Sequence, residues 1–81
     1  MNGEARIAAG DVQVARAHFE QAAKLYVSVS HLLDDEEVTP RALEKAYHAY
    51  KKAGMEPEAK KTLNTLQSRY PEHLQATPGG L

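Results

Sequence analysis

The chain carries few residues whose types and spacing could perform chemistry. Its four histidines follow none of the metal-binding patterns HxxxH, HExxH or Glu-x-x-His; they are His18, His31, His48 and His73. It has no cysteine, which excludes disulfides, thiolate zinc sites and a cysteine nucleophile. We therefore predict no catalytic residue, no metal and no cofactor.

The remaining polar clusters also point away from catalysis. The acidic run Asp34–Glu37 lacks the alternating oxygen ligands and central glycine of a calcium-binding loop. Ser28, Ser30 and Ser68 fall inside predicted helices, and no glycine-rich loop precedes a helix to hold phosphate. The sequence predicts a protein that is not an enzyme.

Length and charge narrow the class of protein. A chain of 81 residues allows one small domain, and a net charge of −1 gives no overall attraction to nucleic acid. No apolar run is long enough to span a bilayer, so we expect no membrane insertion. The compartment stays open between cytoplasm and bacterial periplasm. Charge is uneven, because residues 1–37 carry a net −4 and residues 38–81 a net +3. The basic side chains of the second part could steer an acidic partner.

The spacing of apolar residues predicts an all-α domain of three to four helices. A short helix over residues 2–9 is expected to end at Gly10, with Asp11 capping the next helix. That next helix is predicted to be long, from Val12 to Leu33, because apolar residues recur at alternating spacings of four and three. They are Ala15, Phe19, Ala22, Tyr26, Val29 and Leu33.

The second half of the sequence has clear helix boundaries. Thr39-Pro40 predicts a helix start, and Gly54 ends that helix after Ala53. A fourth helix is predicted from Pro57 to Tyr70, before Pro71. Residues 74–81 have no periodicity and are expected to form a flexible tail.

This second segment resembles the tetratricopeptide repeat (TPR), a helix–turn–helix unit of about 34 residues. The resemblance lies in Leu43, Tyr50, Gly54, Ala59, Leu63 and Pro71. Gly10, Ala15, Phe19 and Ala22 resemble the second half of a preceding repeat. We therefore expect one and a half stacked repeats in a single domain over residues 1–73. Its predicted parts are a half repeat (2–33), an acidic loop (34–38) and a full repeat (39–71).

The resemblance implies a protein-interaction module. In TPR-like proteins the first helix of each hairpin lines a concave groove that holds a partner's peptide or helix. The residues then expected in the groove are Arg41, Glu44, His48, Lys51 and Lys52. Because so few repeats leave apolar faces uncovered, we also expect a homodimer with helix Val12–Leu33 in its interface. Two alternatives remain: a structural capping or oligomerisation segment of a larger TPR protein, and, less favoured, a small nucleic-acid-binding domain.

Overall fold

The computed structural model describes residues 3–75, and the side chains of residues 3–73. Every regular element in this part of the chain is a helix. In chain order they are α1 (Gly3–Ala15), α2 (Phe19–Leu32), α3 (Val38–Lys52), α4 (Glu56–Arg69) and the short α5 (Pro71–Gln75). The all-α prediction is confirmed, and the four longer helices form two antiparallel hairpins of the TPR type.

The two hairpins stack through α3, whose alanine-rich face is buried against the first hairpin. Ala42, Ala46 and Ala49 share a core cluster with Ile7 of α1 and Tyr26 of α2, and none of the five is more than 5% exposed. Small side chains on α3 let the helices approach closely, so the larger side chains of the first hairpin fill the space between them. Packing of α3 therefore joins the second hairpin to the first, mainly through α2.

The predicted helix end at Gly10 and the long helix Val12–Leu33 are wrong. Helix α1 runs through Gly10 and Asp11 to Ala15, and residues 16–18 form the turn before α2. Gly10 is buried inside the helix because the ring of Tyr26 lies directly against it: a Cβ on Gly10 would be 2.4 Å from Tyr26 Cε1. The glycine allows close approach of two helices. The first helix is 13 residues long, rather than the truncated one expected.

The two hairpin turns are equivalent, although only one contains glycine. Ala17 and Gly54 both have a positive φ, 62° and 77° respectively, and they lie 37 residues apart. The same offset relates Ala22 to Ala59, both fully buried. The repeat unit is therefore 37 residues here, and Gly54 has its counterpart in Ala17 and not in Gly10.

The acidic loop caps α3, which begins two residues earlier than predicted. Helix α3 begins at Val38, and the carboxylate of Asp35 accepts hydrogen bonds from the backbone N–H groups of Glu37 and Val38, each at 2.8 Å. These two bonds hold the pKa of Asp35 below its ordinary value. Thr39 is buried instead, and its hydroxyl accepts the N–H of Asp35. Asp35 therefore has the capping role that the sequence assigned to Thr39.

The end of α4 is tied to the same loop. The Tyr70 hydroxyl donates a hydrogen bond to Asp34, and Arg69 Nη2 lies 3.2 Å from the same carboxylate oxygen. Both contacts hold the pKa of Asp34 below its ordinary value. Helix α4 ends at Arg69, as predicted to within one residue, but Pro71 opens α5. Residues 74 and 75 are thus helical, and the rest of the predicted tail, 76–81, lies outside the described residues.

Exchanging the residue types of the two turns is expected to change stability in opposite directions. Ala17→Gly should raise the free energy of unfolding by about 0.5–1 kcal/mol, because a left-handed alanine costs about 1–2 kcal/mol and glycine loses somewhat more chain entropy. Gly54→Ala should lower it by about 1 kcal/mol for the converse reason. Urea denaturation followed by circular dichroism measures both. Destabilisation by Ala17→Gly would contradict the left-handed turn at Ala17.

Candidate functional site

A groove of about 340 Å³ lies between α1 and α3 and is lined by the three helices that meet there. Its apolar surface comes from Val14, Phe19, Tyr26 and Ala49. Its polar surface comes from Asp11, Lys45, His48 and Lys52. An apolar cleft with a few placed polar groups is the usual form of a binding site.

Asp11, Tyr26 and Lys45 form a hydrogen-bonded cluster at the centre of the groove. The phenol of Tyr26 donates to Asp11 Oδ1 at 2.5 Å, and Lys45 Nζ lies 3.2 Å from the same oxygen. Burial tends to raise the pKa of Asp11, but the hydrogen bonds from Tyr26 and Lys45 outweigh it, so that the pKa lies below its ordinary value. Burial and the bond to Asp11 raise the pKa of the Tyr26 phenol. The cluster is therefore an anionic carboxylate held by a neutral phenol and a lysine cation, and its net charge is near zero.

Lys52 and His48 supply the polar character of the other side of the groove. Lys52 Nζ lies 5.6 Å from the centre of the Phe19 ring, which is a cation–π distance. Among residues 3–73, no carboxylate lies within ion-pair distance of Lys52. The imidazole of His48 is exposed and packs edge-on against Tyr47. Because the charge of Asp11 is matched by Lys45, the groove presents a net positive charge beside an aromatic surface.

The structure places two of the five predicted partner-binding residues, His48 and Lys52, in this groove. The other three make polar contacts with side chains outside the groove. Arg41 binds Glu4 at 2.6 Å, Glu44 lies 3.2 Å from His73 Nε2, and Lys51 lies 3.4 Å from Glu56. These pairings direct the three side chains toward other helices or toward the hairpin turn.

Sequence reasoning missed Lys45, Ala49 and every lining residue from the first hairpin. Lys45 could have been found, because Lys45, His48 and Lys52 follow the spacing of three and four that puts residues on one helical face. Asp11, Phe19 and Tyr26 could not, because the predicted helix boundaries of the first hairpin were wrong.

Comparison with known proteins supports the repeat. Residues 49–73, which span the end of α3, the Gly54 turn, α4 and the start of α5, match the tetratricopeptide repeat family model. No curated protein and no solved structure matches the chain. The match supports a TPR-like repeat in the second hairpin, and the two hairpins together have a TPR-like arrangement of helices. Tetratricopeptide repeats are typically non-catalytic modules for protein–protein interaction.

Two features are absent from residues 3–75. These residues contain no cluster of three or more histidine, aspartate or glutamate side chains placed to hold a metal ion. None of their helices combines the length and the apolar character that crossing a membrane requires.

Proposed function

We propose that this protein binds an acidic, leucine-containing segment of a partner protein in the groove between α1 and α3. The observation that carries the proposal is the combination of an apolar floor with the lysine cation of Lys52, which has an aromatic ring beside it but no carboxylate from residues 3–73. This groove lies on the first helix of each hairpin, the side on which TPR-like proteins bind peptides.

Each part of the groove selects for one property of the ligand. Burial of one leucine side chain against Val14, Phe19 and Ala49 stabilises a complex by about 1.5–3 kcal/mol before ordering costs. A ligand carboxylate beside Lys52 and His48 would supply the ion pair that residues 3–73 do not give Lys52. A basic segment would meet like charge at Lys52. The groove therefore fits alternating acidic and apolar residues.

Self-association is a second candidate function, and a different surface supports it. Val12 and Leu32 are the large apolar side chains that stay exposed among residues 3–73, at 50% and 55% exposure respectively. Both lie on the first hairpin, within the segment that the sequence assigned to a dimer interface. Apolar exposure of this kind is typical of interaction surfaces.

A pair of neighbouring lysines tests the groove. Fluorescence anisotropy of a short labelled peptide of alternating glutamate and leucine measures binding, and a peptide of alternating lysine and leucine serves as its counterpart. We expect Lys52→Glu to weaken binding of the acidic peptide about tenfold, which corresponds to about 1.4 kcal/mol. Lys51→Glu is the matched control, because Lys51 is exposed on the same helix but lies outside the groove. It should change affinity less than about threefold.

Three results would contradict the groove proposal. They are equal binding of the two peptides, equal loss in the two variants, and no binding of the acidic peptide to the unmodified chain. Both lysines are exposed, so we expect both variants to fold, and circular dichroism checks this.

A further inference from the structure

The outer face of the first hairpin repeats the face by which the second hairpin docks. The 37-residue offset pairs Ala5 with Ala42, Ala9 with Ala46 and Val12 with Ala49. On α3 all three residues are buried in the core between the hairpins, whereas on α1 all three are exposed. The first hairpin therefore carries a stacking face of the type that this chain already uses internally, and Ala9 and Val12 leave it open to solvent.

Helix α2 completes this face with larger side chains. Leu25 and Leu32 stand where the second hairpin has Thr62 and Arg69, so the uncovered face is more apolar than the covered one. The antiparallel pairing of α1 and α2 places Leu32 beside the start of α1, since Gly3 lies against Leu33, and Leu25 beside its end, since Gly10 lies against Tyr26. The face thus has a shallow alanine surface on α1 between leucines on α2.

The opposite end of the stack does not fit this face. In the second hairpin, Glu44 replaces Ile7 and Tyr47 replaces Gly10 at the equivalent positions. A glutamate in hydrogen-bond contact with His73 and a bulky tyrosine do not offer the apolar contact that Ile7 makes with the alanines of α3. A head-to-tail array of copies would have to bury Glu44, so end-to-end stacking is disfavoured.

We propose that the outer face of the first hairpin, formed by Ala9, Val12, Leu25 and Leu32, binds the same face of a second copy in a closed two-fold dimer. A two-fold axis places the α2 leucines of each copy on the α1 alanines of the other. Within one chain, other α2 side chains, Tyr26 and Val29, already pack on the alanines of α3, so an alanine face of this kind accepts side chains from an α2 helix. The two-fold arrangement gives an isologous interface, which closes and does not polymerise. The proposal rests on the self-association proposed above and specifies its surface.

Two adjacent alanines provide the test. Both Ala8 and Ala9 are exposed, but Ala9 lies in the proposed interface and Ala8 is turned about 100° away from it. We expect analytical ultracentrifugation of the full chain to show a dimer at micromolar concentration. Ala9→Glu should weaken that dimer at least about 100-fold, because it places a charge in an apolar interface. Ala8→Glu should leave the dimer intact, and circular dichroism reports whether each variant folds.

A cross-linking experiment locates the interface independently. Since the chain has no cysteine, Ala9→Cys and Ala8→Cys each carry one thiol. The Ala9→Cys variant should form a disulfide-linked dimer under mild oxidation much faster than Ala8→Cys. A monomer at these concentrations, or a dimer that survives Ala9→Glu, would overturn the proposal. The Ala9→Glu variant should bind the acidic peptide as the unmodified chain does. The experiment therefore distinguishes failure of the dimer proposal from failure of the groove proposal.

Discussion

Tyr26→Ala is expected to lower the free energy of unfolding by about 3–5 kcal/mol, the range for removal of a large buried ring. The Tyr26 side chain is 2% exposed and lies in the core cluster shared by the two hairpins. Its ring also covers Gly10, so truncation leaves a cavity along the α1–α2 contact. In a domain of this size the melting temperature should fall by roughly 15–30 °C. Urea denaturation and thermal melting followed by circular dichroism measure the effect.

Tyr26→Phe is the control that separates the ring from the hydroxyl. It keeps the packing and removes the hydrogen bond to Asp11, so we expect a loss of only about 1 kcal/mol. Loss of similar size in Tyr26→Ala and Tyr26→Phe would contradict a structural role for the ring.

The hydrogen bond from the Tyr26 hydroxyl to Asp11 also predicts that the free energy of unfolding depends on pH. The pKa of Asp11 is lowered in the folded chain, so in acid the unfolded state binds more protons than the folded state. The stability that Asp11 contributes is therefore fully present above its ordinary pKa of about 3.9. It is lost as the pH falls through the lowered pKa. Tyr26→Phe should reduce this acid dependence.

Gly10→Leu is expected to destabilise the protein by about 3 kcal/mol, the upper end of the range for overpacking. A Cβ at this position would lie 2.4 Å from Cε1 of a ring that is itself buried and held by Asp11, so the ring cannot move away cheaply. Helix propensity alone predicts that Gly10→Leu would increase stability, because leucine is favoured over glycine in a helix by about 0.8 kcal/mol. Thermal melting therefore discriminates between close packing and an unconstrained helical position.

Ala8→Leu is the matched control for this substitution. Ala8 is exposed on the same helix, and its replacement should change stability by less than about 0.5 kcal/mol. A second check uses the contact itself: Tyr26→Leu should reduce the cost of Gly10→Ala, because the two residues touch and their effects should not add. An increase in stability on Gly10→Leu would show that Tyr26 does not lie against Gly10.

Local sequence predicted the second hairpin well because its boundaries depend on residues with strong backbone preferences. Gly54 has the positive φ that the turn requires, and Pro57 lies in the first turn of α4. Either preference acts within a few residues and does not depend on the rest of the fold. The part of the chain that matches the tetratricopeptide repeat, residues 49–73, contains both.

The first hairpin was mispredicted because glycine has two uses that the sequence alone does not distinguish. Gly10 followed by Asp11 has the pattern of a helix end and a new cap, but here the glycine admits the Tyr26 ring. The actual turn uses Ala17, whose left-handed conformation is locally unfavourable. Packing of two hairpins on each other outweighs that local cost.

By itself, the sequence determined that the chain is helical and free of thiol chemistry, and that its second hairpin is TPR-like, since composition, periodicity and turn residues act locally. Tertiary structure decided which charges are available for a partner. Arg41, Glu44 and Lys51 are paired with side chains from other parts of the chain, while Lys52 lies over Phe19 beside an apolar groove. The physical reason is that charge pairing depends on distances of 3–4 Å between elements, which only the packed helices define.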